Sequence, residues 1–383
     1  MNVTEFRSAL QAWLDENDLS VRGSAAGHSA PGESAPGGDS LDGQVAQLAR
    51  VRRALYEAGW MRYGWPPEVG GYGGPAALRA VLGEEVALRD LAEPGIYSMV
   101  EVLAPTMISY APPPLAAEMV PLLLSGAEQW CQGFSEPGSG SDLASLTTRA
   151  TPRGDDWVVT GQKVWTSLAQ YAARCVLLTR TAPGHGGITA FFVDMDTPGI
   201  TVRPLRTMHG VDEFAEVFFD DVVVPADRLL GRPGDGWQLA MDLLPYERST
   251  CFWHRAAYLY TRLDRLLAER TETTAEDDAA DDGDLGAAYL ALHTLRARSH
   301  ATQKRLAEGA RLGPETSIDK VLLATAEQRL YDTARDLLPG VLELTDSPWR
   351  TEYLYSRAAS IYGGTAEIQR NIIARRLLGL GKD

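Results

Sequence analysis

Apolar residues Phe6, Leu10, Trp13 and Leu14 recur at helical steps, so the first segment predicts an amphipathic helix that stops near Leu19. Residues 22–43 have no apolar period and are rich in Gly, Ser, Ala and Pro, the composition of a loop or linker in which His28 is solvated. Helical spacing resumes over Gln44 to Gly59, Ala76 to Leu91 and Pro114 to Ser125, with Pro- and Gly-rich breaks between. From Trp130 the pattern shortens to period two in WVVT, CVLLTR, ITAFFVD and AEVFFDDVVV, separated by Gly, Pro and Asp turns. This predicts a β-domain ending near Gly234. Beyond it, helical spacing runs to Leu380, interrupted by the acidic run TETTAEDDAADDGDLG, which reads as an exposed loop.

Helices, then strands, then helices predict an α+β chain, mainly α, with a helical layer and a separate sheet module. The expected division is an N-terminal helical domain over 1–129, a central β-domain over 130–233 and a C-terminal helical unit over 234–383. A chain of 383 residues is long enough for two or three such units. Its 45% hydrophobic and 23% charged residues exclude disorder for the bulk of the chain. A net charge of −15 argues against a nucleic-acid partner, because phosphate backbones reward basic patches. The three cysteines, Cys131, Cys175 and Cys251, have neither metal-ligand spacing nor the density of a secreted disulfide scaffold, so no metal is expected and a reducing cytoplasm fits. Neither a basic leader with an apolar core nor an uncharged span of bilayer length occurs, so no membrane span is expected.

Three segments carry candidate chemistry. In the first, Gln132 to Ser141, a strand runs into a Gly-rich loop. Gly138 and Gly140 let backbone N–H groups approach the polar edge of a flat cofactor or a phosphate, unless the loop is an ordinary hairpin connection. The second is Trp165 with Thr166 and Ser167. An indole can cover an aromatic cofactor and a hydroxyl can bond a ring nitrogen, although among nine tryptophans a core role is the plain reading of any one. The third is Glu247 beside Arg248, among Leu243, Leu244, Tyr246, Cys251 and Phe252. Adjacent helical charges are usually solvated, but these apolar neighbours favour a partly buried carboxylate suited to removing a weakly acidic proton.

GFSEPGSGSD ending at Asp142, GQKVWTS ending at Ser167 and IYGGTAEIQR ending at Arg370 together resemble the acyl-CoA dehydrogenase family. With TPGI at Ile200, FAEVFFDDVVVP at Pro225 and GDGWQLAM at Met241, the resemblance covers most of residues 50–383. It implies a C-terminal four-helix bundle, FAD as cofactor and a role in lipid metabolism. Gln132, Phe134, Ser135 and Gly140 would lie against the flavin, with Phe134 bulkier than the usual aliphatic residue. Ser141 would meet both cofactor and CoA. Trp165, Thr166 and Ser167 would shield the flavin and bond its reactive nitrogen. Thr365 and Glu367 would contact flavin from the last helix, Glu367 serving equally well as a helix-dipole partner. Tyr362 would line the acyl pocket, and Gly363 or Gly364 would offer an N–H to the thioester oxygen. In one branch of the family the base follows that tyrosine, where Gly363 stands here. In the long-chain and isovaleryl branches it sits beside an Arg on the helix after the β-domain, which makes Glu247 the expected base and Arg248 a substrate-binding residue.

The implied reaction is α,β-dehydrogenation of an acyl-CoA to the 2-enoyl-CoA, Glu247 taking the α-proton and the β-hydrogen leaving as hydride to FAD. Electrons would pass on to an electron-transfer flavoprotein. Two family motifs, Arg-x-x-Phe-Gly and Gln-x-x-Gly-Gly-x-Gly, reach the neighbouring subunit's FAD. Here ERTETTAEDDAADDGDLG and LPGVLELTDSPWR stand in their places. Acidic residues repel a pyrophosphate, so the expectation is a second acyl-CoA dehydrogenase-like subunit in an α2β2 heterotetramer. The competing expectation is a homo-oligomer using Arg255, Arg296 or Arg298. Alternative activities are a carrier-protein thioester dehydrogenase, a flavin-dependent hydroxylase of the same fold, or a non-catalytic subunit.

Overall fold

Asn2 caps the first helix through a reciprocal box with Glu5, and the 3.6-residue period buries Phe6, Leu10 and Leu14 of α1 (Val3–Glu16). The computed structural model describes residues 1–20, 40–273, 279–344 and 347–381. Most of the expected loop over 22–43, His28 included, lies outside these residues. Its last residues are helical, because Ser40 caps α2 (Leu41–Glu57) three residues before the expected start. Next come α3 (Ala77–Leu88), α4 (Pro94–Tyr110) and α5 (Pro113–Leu124). The helix α4 was not foreseen. It is apolar nearly all round and carries Pro105, so no polar stripe marks a helical period.

Eight strands follow: β1 (Trp130–Gly133), β2 (Arg149–Arg153), β3 (Asp156–Ser167), β4 (Arg174–Arg180), β5 (Ile188–Asp194), β6 (Ile200–Leu205), β7 (Phe214–Val224) and β8 (Leu229–Leu230). Their order is β6-β7-β3-β2-β4-β5-β8, with β1 parallel to β4. Strand alternation divides the core. Val176, Leu178, Ile188, Ala190 and Phe192 face the N-terminal helices, while Cys175, Leu177, Phe191 and Val193 pack inward against Val217 and Phe219 of β7.

The chain then enters α6 (Gly236–Thr273), which packs on α3, α4, α7 (Ala279–Ala307) and α8 (Thr316–Leu337). Gly83 permits the α3 crossing, since a Cβ there would lie 1.6 Å from His254 Nε2. The expected acidic loop is a correction, apart from residues 274–278, which lie outside those described. Its second half is helical from Ala279, as acidic residues suit a helix N-terminus. The short helices α9 (Pro348–Ser356) and α10 (Ala366–Ile372) close the fold, followed by one π turn (Ile373–Leu377). Among the described residues no helix is long and apolar enough to cross a membrane, and no cluster of His, Cys, Asp or Glu could hold a metal.

Candidate active site

The helix α6 presents Glu247 to the end of β1, where Gln132 Nε2 donates to Glu247 Oε2 at 3.0 Å. Pro245, two residues earlier, withholds the N–H that the Met241 carbonyl would accept and faces a cavity. Opposite Glu247 is the turn between α9 and α10. Gly363 there has φ +63°, and a Cβ would come within 3.2 Å of Glu247 Oε1. An unbranched backbone at this point leaves the carboxylate its room. The turn is anchored by the fully buried Gln369, whose Nε2 donates to the Gly363 and Gly364 carbonyls at 3.2 and 3.1 Å. Arg248 Nε lies 3.4 Å from the Gly363 carbonyl oxygen. Burial pushes the Arg248 guanidinium below its ordinary value, with Glu247 opposing and Arg376 adding to the shift.

Two cavities meet at Gln132, Glu247, Arg248 and Gly363. The inner one, of about 130 Å³, is walled by Ser167, Phe214, Met99, Leu323 and Tyr362, with the Lys320 ammonium 3.6 Å from the Tyr362 ring centre. The outer one, of about 340 Å³, is walled by Phe134, Ser135, Gly140, Ser141 and Gly364 on one side. Ile368, Ile372 and Arg376 form another side at steps of four residues. Most of the expected site residues therefore converge on two connected spaces.

Four do not line them. Trp165 is 61% exposed, in edge contact with Phe214, and has φ +59° at a register shift between β3 and β7. A bulky residue in that backbone region is strained, as functional positions often are. Thr166 points the other way, buried in the sheet, and its hydroxyl has no hydrogen-bond partner among the described residues. Ser167 is the hydroxyl that reaches the cavity. Thr365 caps α10, accepting from the Ile368 N–H at 3.3 Å, and its side chain is thereby engaged. Glu367 bonds its own N–H and Thr365, which hold its carboxyl below the usual range.

The Gly-rich loop is pinned from beneath. Lys163 Nζ reaches Glu136 Oε1 at 2.8 Å and the Phe134 carbonyl at 3.1 Å, and Glu136 also accepts from Thr147 and Thr148. Burial works to raise the Glu136 carboxyl, but Lys163 and these donors bring it down to about 2; burial pushes Lys163 down to about 8 against the pull of Glu136. Sequence reasoning missed Lys163, Glu136, Gln369, Lys320 and Glu213. Lys163 and Glu136 stood inside two of the quoted motifs, and their polarity within apolar or Gly-rich surroundings was the available signal.

The residues fit the ring end of a flavin on three counts: the exposed strained indole, the Gln132 side-chain amide oxygen that is buried without a partner among the described residues, and open space where a Gly140 Cβ would stand. Residues 131–222 match the acyl-CoA dehydrogenase middle-domain family model and residues 234–378 the C-terminal-domain model. Acyl-CoA dehydrogenase IpdE1 of Mycobacterium tuberculosis is 37% identical, with 100% of this chain and 99% of that protein covered. The solved Tcur3481-Tcur3483 steroid ACAD is similar at 25% identity and TM-score 0.84, covering 100% of this chain and 98% of that one. The ChsE4-ChsE5 complex from Mycobacterium tuberculosis is similar at 26% identity and TM-score 0.81, covering 100% and 98%. With its fold, its paired cavities and full-length relatives in agreement, this chain belongs to the acyl-CoA dehydrogenase family of FAD-dependent oxidoreductases.

Proposed function

We propose that this chain is the base-bearing subunit of a heteromeric acyl-CoA dehydrogenase, with Glu247 removing the α-proton of the thioester. The observation that carries the reading is Glu247 at the junction of two cavities, held by Gln132 and given room by Gly363. FAD, when bound, supplies the acceptor for the β-hydrogen. The chain's own residues orient and exclude. Gln132 fixes one carboxylate oxygen, Tyr362 and Leu323 keep water from the inner cavity, and Arg248 with Ser141 suits the polar CoA portion in the outer one. Backbone N–H groups at Gly363 or Gly364 would stabilise negative charge on the thioester oxygen. Electrons would leave through an electron-transfer flavoprotein.

The heteromeric part rests on the missing pyrophosphate-binding motifs and on relatives whose solved forms are named as two-component assemblies. The homo-oligomer alternative is weakened because its arginines are engaged. Arg255 is buried against Glu327 at 2.7 Å, Arg298 bonds Asp319 at 2.5 Å, and Arg296 stacks on Tyr260. Flavin absorbance per chain is the test. The chain purified alone should carry little FAD, and co-expression with a related chain bearing both motifs should bring flavin to stoichiometry. Near-full occupancy in the chain alone would overturn the partner reading.

A further inference from the structure

The inner cavity continues away from Glu247 into a third cavity, with Glu93, Glu213, Arg255 and Tyr355 shared between the two. The inner cavity is therefore reactive at one end and polar at the other. Four elements build the polar end: Glu93 precedes α4, Glu213 precedes β7, Arg255 lies on α6 and Tyr355 on α9. Tyr362 and Tyr355, with ring centres 6.1 Å apart, form an aromatic strip between the ends, and Met99, Phe214 and Leu323 complete an apolar middle.

We propose that Glu213 is a specificity-determining residue that hydrogen-bonds an uncharged oxygen, a ketone or hydroxyl, carried at the remote end of the acyl group. The inference rests on the reading of the inner cavity as the acyl site. Charge balance selects an uncharged group. Arg255 already faces Glu93 at 3.3 Å, Glu327 at 2.7 Å and Glu352 at 3.5 Å, so one cation meets three carboxylates before Glu213 is counted. A carboxylate-ended acyl group would add a further negative charge beside Glu93 and Glu213, where Arg255 is already shared among three carboxylates and the Lys320 ammonium lies instead against the Tyr362 ring. A plain hydrocarbon end would strip solvent from Glu213 and return no hydrogen bond. Burial, reinforced by Glu93 and opposed by Arg255, pushes the Glu213 carboxyl up to about 8, so at neutral pH it keeps a proton to donate. His209 and Glu352 line the third cavity behind it.

The test uses the assembled FAD-containing enzyme and a length series of straight-chain CoA thioesters, each with and without a terminal methyl ketone. At the best-fitting length the ketone should be favoured by about 10-fold or more in kcat/KM and in Kd, the worth of one buried hydrogen bond. Glu213→Leu should abolish that preference, whereas Glu213→Gln, which still donates, should retain most of it. Equal handling of both series by the parent enzyme, or an undiminished ketone preference in Glu213→Leu, would overturn the proposal. Calorimetric Kd values in the Glu247→Gln background keep the two readings separate. Ketone-selective binding without any turnover in the parent enzyme would sink the dehydrogenase reading and leave the subsite standing, while turnover without selectivity would do the reverse.

Discussion

Glu136→Gln removes the carboxylate that holds Lys163 beneath the Gly-rich loop, and its consequences can be worked from the pair's titration. In the folded chain the Glu136 carboxyl is brought to about 2 from an ordinary 4.5, a difference worth about 3 kcal/mol at roughly 1.4 kcal/mol per pH unit. The folded-state value is depressed, so this contribution is fully present above pH 4.5 and is lost as pH falls toward 2. The partner runs the other way. Lys163 is brought from 10.5 to about 8 by burial, so between those values the unfolded chain holds the extra proton and stability rises with pH. At pH 7 the variant should be less stable by about 3 kcal/mol, capped because Lys163 can shed its proton once unpaired. Urea denaturation followed by tryptophan fluorescence, compared between parent and variant from neutral pH into the acid range, measures the difference. The gap should narrow as pH falls below 4.5; Glu84, also held at about 2, stays common to both proteins and cancels. A gap under about 1 kcal/mol at pH 7, or one that does not change with pH, would refute the assignment of this pair as the clamp of the loop.

Glu247→Gln should lower turnover by about 10²–10⁴-fold while flavin content stays at the parental level, read by stopped-flow bleaching and absorbance; near-normal turnover would remove Glu247 as base. Gly363→Ala places a methyl 3.2 Å from Glu247 Oε1 in left-handed backbone; it should cost about 1 kcal/mol of stability and depress kcat about 10-fold or more, and an unchanged kcat would show that the carboxylate has slack. For Trp165→Ala, the 61% exposed indole predicts a stability change within about 0.5 kcal/mol but weaker flavin retention on gel filtration, and full retention would dissociate this indole from the cofactor.

The order of helices and strands was legible because it is written in short-range apolar periods, strongest where one face is buried and the other wet, as in α1. The α4 helix escaped because burial on all sides erases that contrast. At the site, the motifs pointed to Gln132, Ser167, Glu247 and Gly363, each of which reaches the cavities. Thr166 and Ser167 could not be separated in advance, since strand alternation places them on opposite faces and the register shift at Trp165 sets which face is which. Glu213 was invisible for a different reason: its character comes from Glu93 and Arg255, which are remote in sequence and meet it only in the fold.

Glu247 and Arg255 stand on one continuous helix, eight residues apart, which at 1.5 Å per residue sets them about 12 Å apart along its axis. On the proposed reading, one wall of the acyl site is thus a ruler cut into a continuous helix, while Glu93 and Glu213, which lie outside α6, complete its far end. Loop insertions elsewhere can reshape the mouth without moving its marks. Lengthening α6 by one residue between the two would swing one mark about 100° around the axis, so on this reading chain-length preference would be tuned in small steps by exchanging side chains along the ruler.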